Sequence, residues 1–244
     1  MNASIAAGYI AVLLCFSFPV CAQPTHTIVE LKIARSDSAY SIDGAYPNIE
    51  GLPDTAAQSR CNNSISFLAN GWLKGFISSS RTAFAGFMSH EHTGPVSFLD
   101  ISYNVELSTD RFLSLTIDWS GSLPGYAHPR YVSAGLSFDL TTGNEIFLYD
   151  LFEQGSHYLD TLSHYCIQDL LGQNASLGKV IEGTSPSYGN FHNFTLDDES
   201  LTIIFGPEQA DTYKGAPGGR TVSIPYVTLE NIVRKNGPIG LLLK

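Results

Sequence analysis

Two histidines in the middle of the chain have a spacing that suits metal ligands. The segment His90-Glu91-His92 places them at i and i+2, and residues with that spacing share one face of a strand. No third ligand is close in sequence, and the Thr93-Gly94-Pro95 that follows is typical of a solvated turn. The segment therefore predicts a surface loop, and the sequence implies no metal and no other cofactor.

Two pairs of residues have the types found in activated nucleophiles. Ser176 and Lys179 fit the S-x-x-K pattern of penicillin-binding proteins, but the S-D-N and K-T-G motifs that complete it are missing. Cys166 follows His164 by two residues in a predicted helix, where residues at that spacing point apart. A pair of glycosidase carboxylates, which can lie far apart in sequence, stays open. The sequence thus names no catalytic residue; enzymatic activity is uncertain, and a non-catalytic protein is favoured.

The first 22 residues differ in character from the rest. Ile5 to Val20 is almost purely apolar, and the small residues Val20 and Ala22 precede a cleavage point at Gln23. This pattern predicts a secretory signal peptide over residues 1–22 and a periplasmic or secreted protein. No Lys or Arg occurs before Lys32, so an uncleaved membrane anchor is the alternative. No later segment has the roughly 20 apolar residues of a membrane span, so none is expected after cleavage.

Two cysteines, Cys61 and Cys166, remain after the predicted signal peptide. In an oxidising compartment such a pair predicts one disulfide, which would close a loop of roughly a hundred residues and contribute at most about 4–5 kcal/mol. The alternative is a pair of buried free thiols, which behave as small apolar side chains.

The chain is acidic, with 13 Lys and Arg against 23 Asp and Glu and a formal net charge of -10. Such a charge repels nucleic acid and anionic lipid, and it favours cationic partners. A role in solubility alone is the simpler explanation of the same charge.

The hydrophobic periodicity predicts strands and helices in separate blocks, without βαβ alternation. A loop over residues 46–53 precedes a long helix at 54–81, which Asp54 or Thr55 can cap and which has one apolar stripe. A second helix is predicted at 158–171 and a short one at 226–233. Strands are predicted at 25–35, 96–107, 111–120, 131–140, 145–148, 191–196, 201–205 and 221–224. These elements predict an α+β fold with mainly antiparallel sheets, one long N-terminal helix and a second helix, in two small subdomains.

Several segments resemble a pair of bacterial extracytoplasmic domains of unknown function. Tyr46 to Gly51 (YPNIEG), with Asn62 or Asn63, resembles the amino-terminal domain, which is found beside the catalytic domains of peptidoglycan deacetylases. The carboxy-terminal domain is also similar to the outer domain of anti-sigma factors that sense lysozyme. The segments that resemble it are Phe138 to Gly143, Leu148 to Phe152, Asn193 to Leu196, Leu201 to Phe205, and Val222 to Tyr226 with Leu229.

This resemblance implies a division into a subdomain over residues 23–125, a second over 126–235, and a tail over 236–244. The Asp and His metal signatures of the deacetylases are missing. In the family, an acidic, Tyr-containing loop followed by Pro-Tyr often precedes the final strand, whereas residues 206–219 read GPEQADTYKGAPGG here and contain no Pro-Tyr.

The resemblance and the acidic charge together predict a non-catalytic binding module that acts at the cell wall. Its expected partner is a cationic muramidase-like enzyme or peptidoglycan itself. The loops at 90–95, 121–129 and 206–219 are the expected contact surfaces, with Tyr126, His128, Tyr213 and Lys214 as the candidate binding residues. The alternatives are a cell-wall hydrolase or deacetylase with an unrecognised site, and a structural subunit of the envelope.

Overall fold

A computed structural model describes residues 24–87, 97–124, 128–210 and 219–243. The strands are β1 (Thr27–Ser36), β2 (Tyr40–Glu50), β3 (Ser97–Ser108), β4 (Phe112–Ser122), β5 (Arg130–Asp139), β6 (Asn144–Glu145), β7 (Phe194–Leu196), β8 (Ser200–Phe205) and β9 (Arg220–Pro225). The helices are α1 (Thr55–Phe87), α2 (Tyr158–Gly172), α3 (Leu177–Gly183), α4 (Tyr188–Phe191), α5 (Tyr226–Leu229) and α6 (Pro238–Leu242), with a 3-10 turn at Leu148–Asp150. The predicted α+β class, with one long helix and a second helix, is confirmed.

The long helix α1 packs on a six-stranded sheet of order β1-β2-β3-β4-β5-β6. The predicted cap is confirmed, because the Asp54 carboxylate accepts the Ala56 N–H at 2.8 Å. The predicted apolar stripe is also confirmed, since Ile65, Leu73 and Phe76 are buried against the sheet. This helix and sheet enclose the first core.

Strand β2 corrects two predictions. Residues 46–50 belong to a strand, not to a loop, and β2 pairs parallel with β3, so that β2, α1 and β3 form a βαβ unit. Pro47 does not interrupt the pairing with β1, because its nitrogen lies on the same edge as the N–H of Ile49, two residues on. That edge is bound by α1: the Asn62 side chain accepts the Ile49 N–H at 2.8 Å and donates to the Ile49 carbonyl at 2.9 Å.

The second sheet, β7-β8-β9, is antiparallel and forms the second core with the helices that surround it. Phe152, Leu162 and Phe205 are among its fully buried side chains. The last helix, α6, lies in the predicted tail, and its Ile239 is fully buried in this core. The predicted subdomain boundaries themselves stay a prediction.

The two sheets meet where β7 crosses β5. A Cβ on Gly135 would lie 2.0 Å from the Phe194 carbonyl oxygen, so only glycine allows this approach. The Asn193 side chain accepts the Gly135 N–H at 2.8 Å and donates to the Ser133 carbonyl at 2.9 Å. One asparagine thus joins β5 to the second sheet, much as Asn62 joins α1 to β2.

The predicted disulfide is wrong. Cys61 is a free cysteine buried in the first core, and Cys166 is a free cysteine buried in the second. Each lies on the inward face of its own helix, α1 or α2, so the two thiols belong to different cores. Burial raises the pKa of Cys61 to about 11 and that of Cys166 to about 12. The two residues therefore act as the small apolar side chains of the alternative prediction.

The S-x-x-K pair does not have the arrangement of a nucleophile and its base. Lys179 in α3 pairs with Glu182 at 2.9 Å, and Ser176 precedes the helix.

Over the residues that the structure describes, none of the helices is both long and apolar enough to span a bilayer.

Candidate functional site

A cleft of about 680 Å³ lies between elements of both cores, and we call it the junction cleft. Its lining comes from α1, the start of β4, the β5–β6 turn, residues 145–147 and 149–150, and residues 234 and 236–238. The β5–β6 turn is held against α1: Gly143 has φ +69°, and a Cβ there would lie 2.3 Å from the Ala57 carbonyl oxygen. Arg60 adds a hydrogen bond from its Nε to the Thr142 carbonyl at 2.7 Å. The floor of the cleft is therefore fixed in place.

One wall of the junction cleft is a salt bridge. Arg111 Nη2 and Asp139 Oδ2 are 3.2 Å apart, and the guanidinium also lies over the Phe112 ring at 5.1 Å from its centroid. The other Asp139 oxygen accepts the Thr141 N–H at 2.9 Å. Both charges are thus engaged within the protein itself.

Four aromatic rings form a continuous row beside this wall, and we call Phe147, Tyr149, Tyr188 and His192 the aromatic row. The ring centroids of Phe147 and Tyr149 are 5.5 Å apart, those of Tyr149 and Tyr188 6.1 Å, and those of Tyr188 and His192 6.2 Å. Tyr149 is 51% exposed and Phe147 40%. Several large rings exposed side by side are uncommon on a surface that binds nothing.

The backbone at residues 147–150 explains why these rings are exposed. The Asp150 carboxylate accepts the Phe147 N–H at 2.9 Å and so closes the 3-10 turn. Leu148 is fully buried within that turn. Phe147 and Tyr149, which flank it, therefore project outward into the cleft.

Two charged side chains of the junction cleft have no partner among the described residues. Glu145 is half-buried and Arg234 is exposed, and neither forms an ion pair or side-chain hydrogen bond with the part of the chain that the structure describes. Burial raises the pKa of the Glu145 carboxyl. The pKa of Tyr188 is raised as well, first by burial and then by the neighbouring tyrosines and carboxylates, Glu145 among them. Glu145 is therefore close enough to the aromatic row to act electrostatically on Tyr188.

The chemistry that this arrangement supports is binding. Of the three carboxyl groups in the described lining of the junction cleft, Asp139 is engaged by Arg111 and Asp150 by a backbone N–H. Glu145 is the one with neither kind of contact. Aromatic faces with a few placed charges are typical of a ligand site.

Of the residues predicted to bind, only His128 lies within the described ranges, and it is not at this cleft. His128 is exposed and lies before β5, at the far end of the β4–β5 pair from Asp139, about 30 Å along the strand at its usual rise. Tyr126, Tyr213 and Lys214 lie outside the described residues, as does His90-Glu91-His92. Within the described ranges, no three or more His, Cys, Asp or Glu side chains are grouped to hold a metal ion.

Sequence reasoning missed the aromatic row, Glu145 and Arg234. A signal is present in Phe147-Leu148-Tyr149, where two aromatic residues flank one apolar residue at the end of the predicted strand 145–148. From the sequence, these residues support only that strand and the family resemblance that begins at Leu148.

Two solved structures are similar to this chain over nearly its whole length. One is a member of the DUF3298 family from Bacteroides fragilis, with a TM-score of 0.66, 16% identity, and coverage of 91% of this chain and 98% of that one. The other is a DUF3298 family protein from Pseudomonas aeruginosa, with a TM-score of 0.55, 11% identity, and coverage of 88% and 97%. The chain has the DUF3298 fold.

This fold supports the coarser part of the predicted resemblance, that to a domain of unknown function. The association with deacetylases and anti-sigma factors stays a prediction. No protein-family model matches the sequence, and no curated protein matches it.

Proposed function

We propose that this protein is an exported, non-catalytic binding module that acts at the bacterial cell wall and holds peptidoglycan in the junction cleft. The observation that carries the proposal is the aromatic row, which lies exposed beside Glu145 and Arg234. Export is supported by the signal-peptide pattern of residues 1–22.

A polymer is the kind of ligand that suits the aromatic row. Three successive ring contacts of 5.5 to 6.2 Å give an extended apolar surface rather than a single stacking position. The apolar faces of sugar rings pack on such a surface, while the polar groups of the cleft orient the ligand. Peptidoglycan supplies both sugar rings and charged peptide.

Co-sedimentation of the purified mature protein with purified sacculi tests this proposal. Wild-type protein sediments with the sacculi, and the double variant Tyr149→Ala/Tyr188→Ala binds roughly tenfold more weakly, because it loses two stacking anchors. Phe98→Ala is the matched control, since Phe98 is 46% exposed at the opposite end of β3 and β4 from the cleft. The control variant sediments like wild type. Wild-type protein that stays in the supernatant at micromolar concentration contradicts the peptidoglycan proposal.

A cationic muramidase-like enzyme is a second candidate partner, favoured by the outer face of the first sheet. A basin of about 640 Å³ there is lined by Glu30, Asp43 and Asp100, with Lys32 as the cation. Lys32 lies 3.7 Å from Glu30, which leaves Asp43 and Asp100 to attract a basic protein.

Binding to lysozyme and other muramidases at low and high salt tests this second candidate. Asp43→Asn/Asp100→Asn weakens the complex at low salt, and salt removes the difference. Equal affinity of wild type and variant at low salt contradicts docking on this face.

The hydrolase alternative has a direct test in Glu145. Release of muropeptides from sacculi by the wild type, abolished in Glu145→Gln, would replace the binding proposal with a catalytic one. A stable protein that co-purifies from envelope extract would instead favour the structural subunit.

A further inference from the structure

The junction cleft has two opposite charges left over once its internal pairs are removed. Among the described residues, five charged side chains line it, and they are Arg111, Asp139, Glu145, Asp150 and Arg234. Arg111 and Asp139 neutralise each other, and Asp150 accepts a backbone hydrogen bond from Phe147 but keeps its negative charge. The five side chains therefore sum to a formal charge of -1, two arginines against three carboxylates, and Glu145 and Arg234, the two without such a contact, have opposite signs. A purely anionic or purely cationic ligand would therefore satisfy only one of them.

The position of Glu145 suits the binding of a cationic group. It lies in β6, opposite Phe138 of β5, and the pairing of these strands fixes its backbone. The carboxylate is half-buried and has no partner within the ranges that the structure describes, a position that costs free energy in the unliganded protein. A ligand ammonium would remove that cost, because an opposite charge at hydrogen-bond distance stabilises the ionised carboxyl.

The backbone of Arg234 is also fixed by hydrogen bonds. Its N–H donates to the Leu151 carbonyl at 2.9 Å, and its own carbonyl accepts the Gly237 N–H at 2.8 Å. A Cβ on Gly240 would lie 2.4 Å from the Arg234 carbonyl oxygen, so the following turn depends on glycine. The guanidinium can thus reach a ligand carboxylate with little loss of backbone freedom, and its planar donor array suits that group.

We infer that the junction cleft takes a zwitterionic ligand, whose ammonium group binds Glu145, whose carboxylate binds Arg234, and whose apolar portion packs on the aromatic row. The inference rests on the proposed function, and it assigns recognition to the peptide part of peptidoglycan rather than to the glycan. The glycan chain alone lacks the ammonium group that Glu145 requires. The same chemistry occurs in free peptides that carry an amine and a carboxylate, and the test separates these sources.

Calorimetric titration with four soluble probes tests the inference. The probes are a disaccharide-peptide fragment of peptidoglycan, the same disaccharide without peptide, the free peptide with a side-chain amine, and that peptide with its amine acetylated. The disaccharide-peptide and the free peptide bind, while the acetylated peptide and the bare disaccharide bind at least about tenfold more weakly.

Single variants assign each charge to its partner. Glu145→Gln weakens the free peptide about tenfold but leaves the affinity of the acetylated peptide unchanged, since the group that Glu145 recognises is already lost. Arg234→Gln weakens both peptides. Glu153→Gln and Lys235→Gln are the matched controls, because both residues are exposed and neither lines the cleft, and both variants bind like wild type. A melting temperature of Glu145→Gln equal to or above that of wild type shows that the variant is folded, since the substitution removes a half-buried charge.

The outcomes distinguish the inference from the function on which it rests. Sedimentation with sacculi, together with equal binding of the amine-bearing and acetylated peptides, overturns the inference and keeps the proposed function. Tight, Glu145-dependent binding of the free peptide without sedimentation supports the inference and contradicts the peptidoglycan proposal. Binding of the bare disaccharide as tightly as the disaccharide-peptide overturns the inference as well.

Discussion

The two cores are built in different ways, although each buries one cysteine. The first core places one helix of 33 residues on long strands, so its apolar side chains recur with regular spacing. The second core collects the three-residue strand β7, the four-residue helices α4 and α5, and turns such as that at Leu148. Short elements of this kind are marginal alone and depend on tertiary contacts. The contrast suggests that regular elements provide the support, while the irregular segments between them provide the exposed side chains of the junction cleft.

The largest expected effect is at the contact of the two sheets. Gly135→Ala destabilises the protein by about 3 kcal/mol or more, because its Cβ would meet the Phe194 backbone and force the sheets apart. Gly71→Ala is the matched control in α1, where nothing lies within 4 Å of the added Cβ. That variant is more stable than wild type by roughly 0.5–1 kcal/mol. Urea unfolding measures both, and a Gly135→Ala protein as stable as wild type would contradict the described contact.

The next largest effects are expected at Asn62 and Asn193, one in each of the two regions compared. Asn62→Ala and Asn193→Ala each lower the free energy of unfolding by about 1.5–3 kcal/mol, since each leaves a backbone N–H and a backbone carbonyl without their partner. Asn62 acts within the first core, whereas Asn193 joins the second sheet to β5. Hydrogen exchange therefore shows increased opening at Ile49 in the first variant and at Gly135 in the second. Increased opening at the same amides in both variants would contradict this separation.

A pH effect is expected at the start of β1. His26 is 5% exposed, and its Nε2 is hydrogen-bonded to Ser108 Oγ at 3.1 Å. Burial lowers the pKa of His26 from its ordinary value of 6.5, and the nearby Asp110 partly opposes that shift. The unfolded chain therefore binds more protons than the folded one just below pH 6.5, so this contribution to stability is full above that pH and declines as the pH falls through it.

His26→Gln isolates this effect, because glutamine does not titrate. The stability advantage of wild type over the variant decreases between about pH 7.5 and about pH 5.5, as urea unfolding at each pH measures. Parallel pH profiles of the two proteins would show that His26 is not buried in its neutral form.

The smallest expected effect concerns the two thiols. With pKa values of about 11 and about 12, Cys61 and Cys166 are almost entirely protonated near neutral pH, and both are buried. A thiol reagent therefore labels neither residue in the folded mature protein under non-reducing conditions, and it labels both after unfolding. If the unfolded, unreduced protein is not labelled, Cys61 and Cys166 are joined by a disulfide, which would contradict their placement in separate cores.

The candidate site was harder to predict than the fold, and the reason is visible in particular residues. Asn62, Gly143 and Asn193 all lie in or beside segments that resemble the family, and each has a structural contact that explains it. The cleft residues Glu145, Tyr149 and Arg234 come from two segments that are far apart in sequence and meet only in the fold. No local pattern records such a meeting.

The sequence by itself determined the α+β class, the long capped helix with its apolar stripe, most of the strands, and the acidic charge. These features depend on periodicity and on capping, which involve residues only a few positions apart. Only the tertiary structure decided the parallel pairing of β2 with β3, the separation of Cys61 from Cys166, and the assembly of the aromatic row beside Glu145 and Arg234. Each of these depends on which distant segments share a core or an edge, and that choice is made by packing over the whole chain.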